Sequence, residues 1–349
     1  MPETTTPQRR EPVRSAEPVP PAHPGVPHPE LPPRISFRDS LGTVTCVAVC
    51  FAIAAYVLSY ACSGFWLAEL FTHFRIQLLG VFALLGLLLA FLRYGRWAVL
   101  VAACMAWLAW PVMRDILPAS VPAGGPTRVK LLAANVLFYN ENFEPLERLV
   151  AAEQPDVLVI VECTLAWRER LRGLEATYPY SIAEPRSHGF GIGLWSKRPL
   201  LDPRAVLLSN GDAPVLFAGL EVDGQAVQIA AVHLLSPLDP GRFAERNTQL
   251  SALTEALNRW SGPRLVVGDF NATPWSPFLT QFLRESGLRD SRVGFGIQAS
   301  WPQQIPLLRI PIDHLFVSPE LVVHDRRLGP PINSDHRPVI AEISRRAND

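Results

Sequence analysis

Lysine is nearly absent from this chain. Only Lys130 and Lys197 occur in 349 residues, so the 32 basic side chains are almost all arginine, and 32 acidic ones balance them to a formal charge of zero. With no polybasic run, the sequence lacks the electrostatic footprint of a protein that grips nucleic acid or anionic lipid by charge alone. The preference for arginine over lysine has a plainer reading, genomic base composition. Cysteine is also sparse: Cys46, Cys50, Cys62 and Cys104 lie in apolar stretches, and only Cys163 lies in the polar half. This excludes a disulfide framework and a CxxC-type metal site. The Gly-x-Gly-x-Gly spacing at 189–193 is not a dinucleotide fingerprint, because no helix follows it.

Apolar residues and proline are what the chain has in excess. A mean hydropathy of +0.15 is high for a wholly soluble protein and implies a membrane part. Residues 1–38 hold about a third of the 34 prolines and little apolar content, which predicts a disordered, Pro-rich cytoplasmic tail. Three long apolar runs follow within residues 39–114, at Leu41–Ala61, Ile76–Leu92 and Trp97–Met113. A spanning helix needs about 20 apolar residues, and about 17 at the short end, so the runs predict three transmembrane helices. Arg34 and Arg38 flank the first run, and Arg93 and Arg96 lie between the second and third. The positive-inside rule puts these on the cytoplasmic face, which makes a multi-pass cell-membrane protein whose C-terminal half is extracytoplasmic. Arg75 and Arg114 fall on the outer side and count against that orientation.

A Pro/Gly-rich linker over 115–127 then leads to a globular domain over 128–349. Its pattern alternates strands and helices. Val129–Leu137, Asp156–Glu162, Gly191–Ser196, Ala205–Leu208, Arg264–Gly268, Ile312–Val317, Leu321–His324 and Val339–Ile343 read as strands, and Val215–Val222 with Ala226–His233 reads as a hairpin around Asp223-Gly224. Helices are expected at Phe143–Glu153, Leu165–Leu174, Pro240–Trp260 and Ser276–Glu285. The mixture implies an α/β domain of two facing sheets with helices outside.

Several polar residues share one placement: each sits at or just past the end of an apolar strand. Asn135 follows Leu-Leu-Ala-Ala, Glu162 ends Val-Leu-Val-Ile-Val-Glu, His233 ends Ile-Ala-Ala-Val-His, and Asp269 and Asn271 end Leu-Val-Val-Gly-Asp-Phe-Asn. A carboxylate emerging from an apolar strand is costly to desolvate unless a cation or hydrogen bonds satisfy it. One such residue serves readily as a cap, but five arranged alike point to a shared site. Together with Ser334-Asp335-His336 they suggest metal-assisted phosphoester cleavage.

Asn135, Pro155-Asp156 leading to Glu162, Gly189–Ser196, His233, Gly268-Asp-Phe-Asn271, Ile312-Asp-His314 and Ser334-Asp-His336 resemble, in order and spacing, the motifs of the endonuclease/exonuclease/phosphatase superfamily, which has the deoxyribonuclease I-like fold. The resemblance covers 128–344 and implies a four-layer αββα sandwich and a divalent metal, Mg²⁺ or Mn²⁺, suited to an all-oxygen site. It makes Glu162 the main metal ligand, with Asn135 beside it and Asp335 a further contributor. It has Asp269 orient or deprotonate the attacking water, Asn271 hold a phosphate oxygen, and His233 donate to another. His336, positioned by Asp313, would contact the phosphoryl group and stabilise charge. Which of Asp269 and His336 is the base stays open. His188 is a loop residue able to reach substrate, although a surface histidine is the plainer reading. His314 should point to the opposite strand face from Asp313 and be structural. Trp275 and Trp301 either line the cleft mouth or pack in the core or against the membrane.

The acidic residue expected soon after Asn135 is missing, and so are Arg/Lys-rich duplex-gripping loops, so nucleic acid is allowed but not favoured as a substrate. The expected function is a membrane-anchored phosphoesterase acting on a lipid or cell-envelope phosphate. The chain resembles the membrane-tethered bacterial members, some associated with glycopeptide (teicoplanin) resistance. The alternatives are an extracellular nuclease of the same mechanism and a non-catalytic sensor or scaffold.

Overall fold

The computed structural model describes residues 36–118, 122–209 and 211–347; most of the expected Pro-rich tail lies outside them. The first described element, helix α1 (Phe37–Ala61), is capped by Ser36, whose side chain accepts from the Asp39 N–H. It is followed by α2 (Trp66–Thr72), α3 (Arg75–Phe91) and α4 (Gly95–Ile116). α1 and α4 are each long and apolar enough to cross a membrane, and α2 and α3, bent by 69° at their break, make a third span if taken together. The helices pack through Val49, Phe82, Leu89, Val101 and Leu108.

α2 was not expected from the sequence, where 62–75 reads as a connection. At the start of α3, Arg75 is buried with its guanidinium 5.7 Å from the Tyr56 ring centre and 5.9 Å from that of Tyr60. One of the two charges that counted against the predicted orientation is thus held by aromatic faces within the protein. At the other end of the helices, Arg38 donates to the Leu92 carbonyl at 3.1 Å.

The remaining chain forms two six-stranded sheets. One runs β11 (Leu321–Leu328), β12 (Val339–Arg346), β1 (Gly124–Asn135), β2 (Val157–Val161), β4 (Ile192–Ser196), β3 (Tyr180–Glu184). The other runs β5 (Leu200–Val206), β6 (Val215–Val222), β7 (Gln225–His233), β8 (Arg264–Asp269), β10 (Asp313–Val317), β9 (Arg289–Asp290). Strand alternation splits the apolar residues between two cores. Val129, Leu131, Val157 and Val159 face Leu216, Ile229, Val267 and Leu315 between the sheets. Leu132, Leu158 and Ile160 turn outward against α5 (Glu144–Glu153) and α6 (Leu165–Leu171), while Val266 and Phe316 face α7 (Pro240–Asn258) and α8 (Pro277–Ser286). The domain is therefore a four-layer αββα sandwich.

Differences from the sequence reading fall where strands are exposed or irregular. β1 begins inside the expected linker because Gly124 pairs with Arg346. The strand expected at Ala205–Leu208 is β5, centred earlier on Asp202-Pro203, a pair that reads as a turn but sits at a bulge on an edge strand. β3 and β9 lack an apolar run and escape notice.

Candidate active site

Strand direction assembles the site. β1 and β2 are parallel, with Asn135 paired to Val161, so Asn135 and Glu162 emerge at one rim. β7 and β8 are also parallel and place His233 beside Asp269. The antiparallel β10 starts at Asp313, directly opposite Asp269. β12 runs antiparallel to β1, with Val339 opposite Ala133, so the loop carrying Asp335 and His336 arrives at the same rim. Residues spread over some two hundred positions meet because the ends of two parallel strand pairs, one in each sheet, converge there.

Gly268 and Gly191 allow the close approach this requires. A Cβ on Gly268, whose φ is 141°, would lie 1.9 Å from the Val232 carbonyl oxygen, and one on Gly191 would lie 1.9 Å from that of Cys163. Leu137, Glu162 and Asn271 hold left-handed backbone conformations with φ of 62°, 62° and 48°. Strained backbone of this kind clusters at working sites, where the surrounding structure enforces it.

The side chains form one hydrogen-bonded constellation. The Asn135 amide nitrogen donates to Glu162 Oε1 at 2.9 Å and to Asp269 Oδ2 at 3.1 Å. Glu162 Oε2 accepts from the Phe138 N–H at 2.8 Å. His336 Nδ1 lies 2.8 Å from Asp313 Oδ2, and its Nε2 lies 3.7 Å from Asp269 Oδ2. His233 Nε2 approaches Asp269 from the other side, also at 3.7 Å. Asp269 Oδ1 accepts from the Asn271 N–H at 2.9 Å, and the Asn271 amide donates one proton to the Leu234 carbonyl, leaving its second free.

Burial drives the Asp269 carboxyl well above the ordinary aspartate range, against the opposing charge of His336. Burial works against charge on the His336 ring, but Asp313 and Asp269 outweigh it and hold the ring protonated far beyond the usual histidine range. The same pairing keeps Asp313 ionised despite its burial. His233 is pushed down to about 4 by burial and by the charge on His336, so it is a neutral ring with one N–H at physiological pH. Burial also raises Glu162.

These residues open into a cleft of about 540 Å³ whose walls include Phe138, Phe190, Leu238 and Trp301. His188 lines it from its loop, half-exposed and 3.1 Å from Asp212. Arg242, in the first turn of α7, also faces it and is the only arginine or lysine that does so among the described residues. Trp301 lines the cleft and donates Nε1–H to Asp335 Oδ2 at 2.9 Å. Trp275 does not: it is buried, with its carbonyl accepting from the Tyr60 hydroxyl of α1 at 3.1 Å. His314 is structural as expected, its Nε2 2.9 Å from the Ala272 carbonyl oxygen and its ring stacked on Phe316.

The donor set fits a hard divalent cation. Asp335 Oδ1 is buried without a hydrogen-bond partner among the described residues, and Glu162 is raised by burial, so both carboxylates stand to gain from a cation between them. Asn135 Oδ1 accepts from the Leu137 N–H at 3.0 Å and keeps a second lone pair. Ligand atoms of Asp269, Asp313 and His336 also lie within 4.8 Å of one another. There, however, Asp313 and His336 already satisfy each other, so the Glu162 side is the better cation site.

Residues 132–336 match the model of the Endonuclease/Exonuclease/phosphatase family. The chain belongs to this family. Family members are hydrolases acting on phosphodiester bonds and typically use divalent metals. Among curated relatives, the UPF0294 protein VP2298 of Vibrio parahaemolyticus is 29% identical over 127 residues, covering 35% of this chain and 41% of that protein. Among solved structures, a humanized TDP2 of D. rerio superposes with a TM-score of 0.53 at 17% identity, covering 62% of this chain and 99% of that one. The 3' phosphatase NExo of Neisseria, solved with product DNA hairpin, gives 0.52 at 18% identity, covering 61% and 98%.

Asn135, Glu162, His233 and Asp269 are announced by the strand ends they occupy, whereas Phe138, Phe190, Asp212 and Arg242 reach the cleft from loops and a helix start. Only Arg242 left a signal, as a cation three residues after the helix-capping Asp239.

Proposed function

We propose that this protein is a membrane-anchored, Mg²⁺- or Mn²⁺-dependent phosphoesterase that hydrolyses a phosphate ester or pyrophosphate of a lipid or cell-envelope substrate on the extracytoplasmic side. The observation that carries the chemistry is the convergence of Asp269, the Asp313-braced His336, Glu162, Asn135 and Asp335 on one cleft. Asp269, raised toward neutrality, is suited to orient and deprotonate water, and the protonated His336 to stabilise charge on the phosphoryl oxygens. Asn271 and neutral His233 each have an N–H to offer a phosphate oxygen. Glu162, Asp335 and Asn135 would hold the cation, which when bound supplies Lewis-acid stabilisation of phosphoryl charge.

The lipid reading draws support from how the domain is held. Tyr60 at the end of α1, Gln77 at the start of α3 and Asp115 at the end of α4 all bond to it, at 3.1 Å to the Trp275 carbonyl, 3.2 Å to the Leu307 carbonyl and 3.1 Å to Arg292. The arginines at 38, 93 and 96 lie at the opposite ends of the helices, consistent with a cytoplasmic face there. A cleft with four carboxylates and one arginine on its walls also lacks the cation lining that a DNA duplex needs.

Phosphate release from a polyprenyl pyrophosphate in detergent micelles tests the reading. The native chain with Mg²⁺ should release it, EDTA should stop release, and added Mg²⁺ or Mn²⁺ should restore it. Equal release by native protein and Asp269→Ala would remove the proposed chemistry; a preference for DNA with steep salt dependence would reassign it to the nucleases.

The pH profile of kcat/KM should carry the signature of the two shifted groups. Activity needs ionised Asp269, so it is lost as pH falls through a pKa displaced above the ordinary carboxylate range. It needs protonated His336, so it is lost as pH rises through a value above the ordinary histidine range. Asp313→Asn should lower that upper limb by about 1–3 pH units, the effect of removing an adjacent opposite charge. An upper limb that does not move would sever His336 from the mechanism.

A further inference from the structure

Beside the cleft, the loop between Trp301 and Ile310 joins the active site to the membrane helices. Its base is closed by the Trp301–Ile310 bridge. Trp301 donates to the Asp335 side chain, and the Gln303 N–H donates to the Asp335 carbonyl at 2.7 Å. Its far end is Ile305-Pro306-Leu307-Leu308, where Ile305, Leu307 and Leu308 are 50%, 87% and 45% exposed. Exposed apolar residues scattered singly need no account, but three within four residues at a loop tip do. The tip is fixed against α3, with the Gln77 amide donating to the carbonyls of Leu307 and Arg309 at 3.2 and 3.1 Å.

Gln77 is the third residue of α3, whose Leu84, Leu87 and Phe91 are exposed at 70%, 70% and 83% and share one apolar face suited to lipid. With α3 in the bilayer, as the proposed function has it, the tip is held where this helix enters. On the cleft side, Phe138 and Leu238 line the cavity together with Trp301 and are themselves 39% and 67% exposed.

We infer that Ile305–Leu308 is a lip inserted in the bilayer leaflet next to the cleft, and that the substrate is a phosphate carried on a hydrocarbon chain that stays in that leaflet during hydrolysis. This rests on the membrane-anchored phosphoesterase reading and narrows its substrate class. The lip sets the level of the cleft above the membrane, and Trp301-Asp335 at the base of the same loop meets the head group there. A water-soluble phosphoester would reach the cleft without using the lip.

The test uses the full chain in phosphatidylcholine/phosphatidylglycerol nanodiscs, with the native cysteines replaced and a nitroxide attached through Leu307→Cys. A reference label sits at Glu144→Cys on α5, in the outer helical layer of the other sheet. The 307 label should collide with oxygen in preference to a water-soluble nickel chelate, and the 144 label the reverse. A 307 label as accessible to nickel as the 144 label overturns the inference. Because this needs no turnover, it fails separately from the catalytic reading. Kinetically, Leu307→Asp should lower hydrolysis of nanodisc-borne polyprenyl pyrophosphate at least tenfold, mainly through KM, and leave bis(p-nitrophenyl) phosphate hydrolysis within twofold. Unchanged turnover of the lipid-borne substrate, or equal loss on both substrates, would also overturn it.

Discussion

Asp269→Asn is expected to lower kcat/KM for phosphoester hydrolysis about 10³-fold, in the range seen when a positioned general base or a charge-stabilising group is lost. The same substitution should leave the protein as stable as before, or more so, at neutral pH. The sign follows from linkage: burial raises the folded-state pKa of this carboxyl above its unfolded value, so ionised Asp269 costs stability above the unfolded pKa. Asparagine removes that cost and keeps the shape, so activity and stability should move in opposite directions. His336→Ala should be comparably damaging. The double variant should be little worse than the poorer single one, since Asp269 and His336, 3.7 Å apart, act on one phosphoryl group. A loss under tenfold, or fully additive losses, would mean that the two residues do not form a catalytic unit.

Glu69→Ala is expected to destabilise the folded chain by about 3–5 kcal/mol, the cost of leaving a buried charge without its partner. Glu69 lies in α2, yet it is fully buried against the catalytic domain. Its Oε1 accepts from the Ser276 hydroxyl at 2.5 Å and lies 3.2 Å from Arg246 Nη2. Its Oε2 lies 3.1 Å from His73 Nε2, and His73 Nδ1 lies 3.0 Å from the Thr273 hydroxyl. Arg246 is equally buried and reaches the Asn271 carbonyl at 3.5 Å. The network thus ties the short helix between α1 and α3 to the loop that follows Asp269.

Replacing both charges, as Glu69→Leu with Arg246→Met, should recover most of the stability, because two apolar side chains avoid the desolvation of the ion pair. Urea unfolding of the full chain in detergent measures both effects. A cost below about 1 kcal/mol for Glu69→Ala would mean that α2 is not docked as described, since even an ordinary buried hydrogen bond contributes about that much. The single variant should also lose activity, because the carbonyl of Asn271 and the hydroxyl of Thr273 lose their supports.

Strand-end residues were legible in the sequence because an apolar run followed by one polar residue is a local signal. Asn135, Glu162, His233 and Asp269 each terminate such a run, and parallel pairing of the strands is what brings them to one rim. Asp313 and His336 were legible through the family pattern, and the 2.8 Å contact between them has the geometry it implies. Arg242 and Phe190 were not, since their approach to the cleft depends on how a helix start and a glycine loop pack. Trp275 and Trp301 look alike in sequence, yet one is buried with its carbonyl bonded to Tyr60 of α1 and the other lines the cleft. The largest omission was α2. A short segment between apolar runs carries no periodic signal, and the partners of Glu69 lie some two hundred residues away.

Glu162, Asn135 and Asp335 should hold a hard cation next to Asp269 and His336. Titration of the purified full chain with Mn²⁺, with free ion followed by electron paramagnetic resonance, addresses it directly. The native chain should bind Mn²⁺ in competition with Mg²⁺, and Glu162→Gln should weaken that binding at least tenfold while the protein remains folded. Binding that is absent from the native chain, or unchanged by Glu162→Gln, would contradict the account.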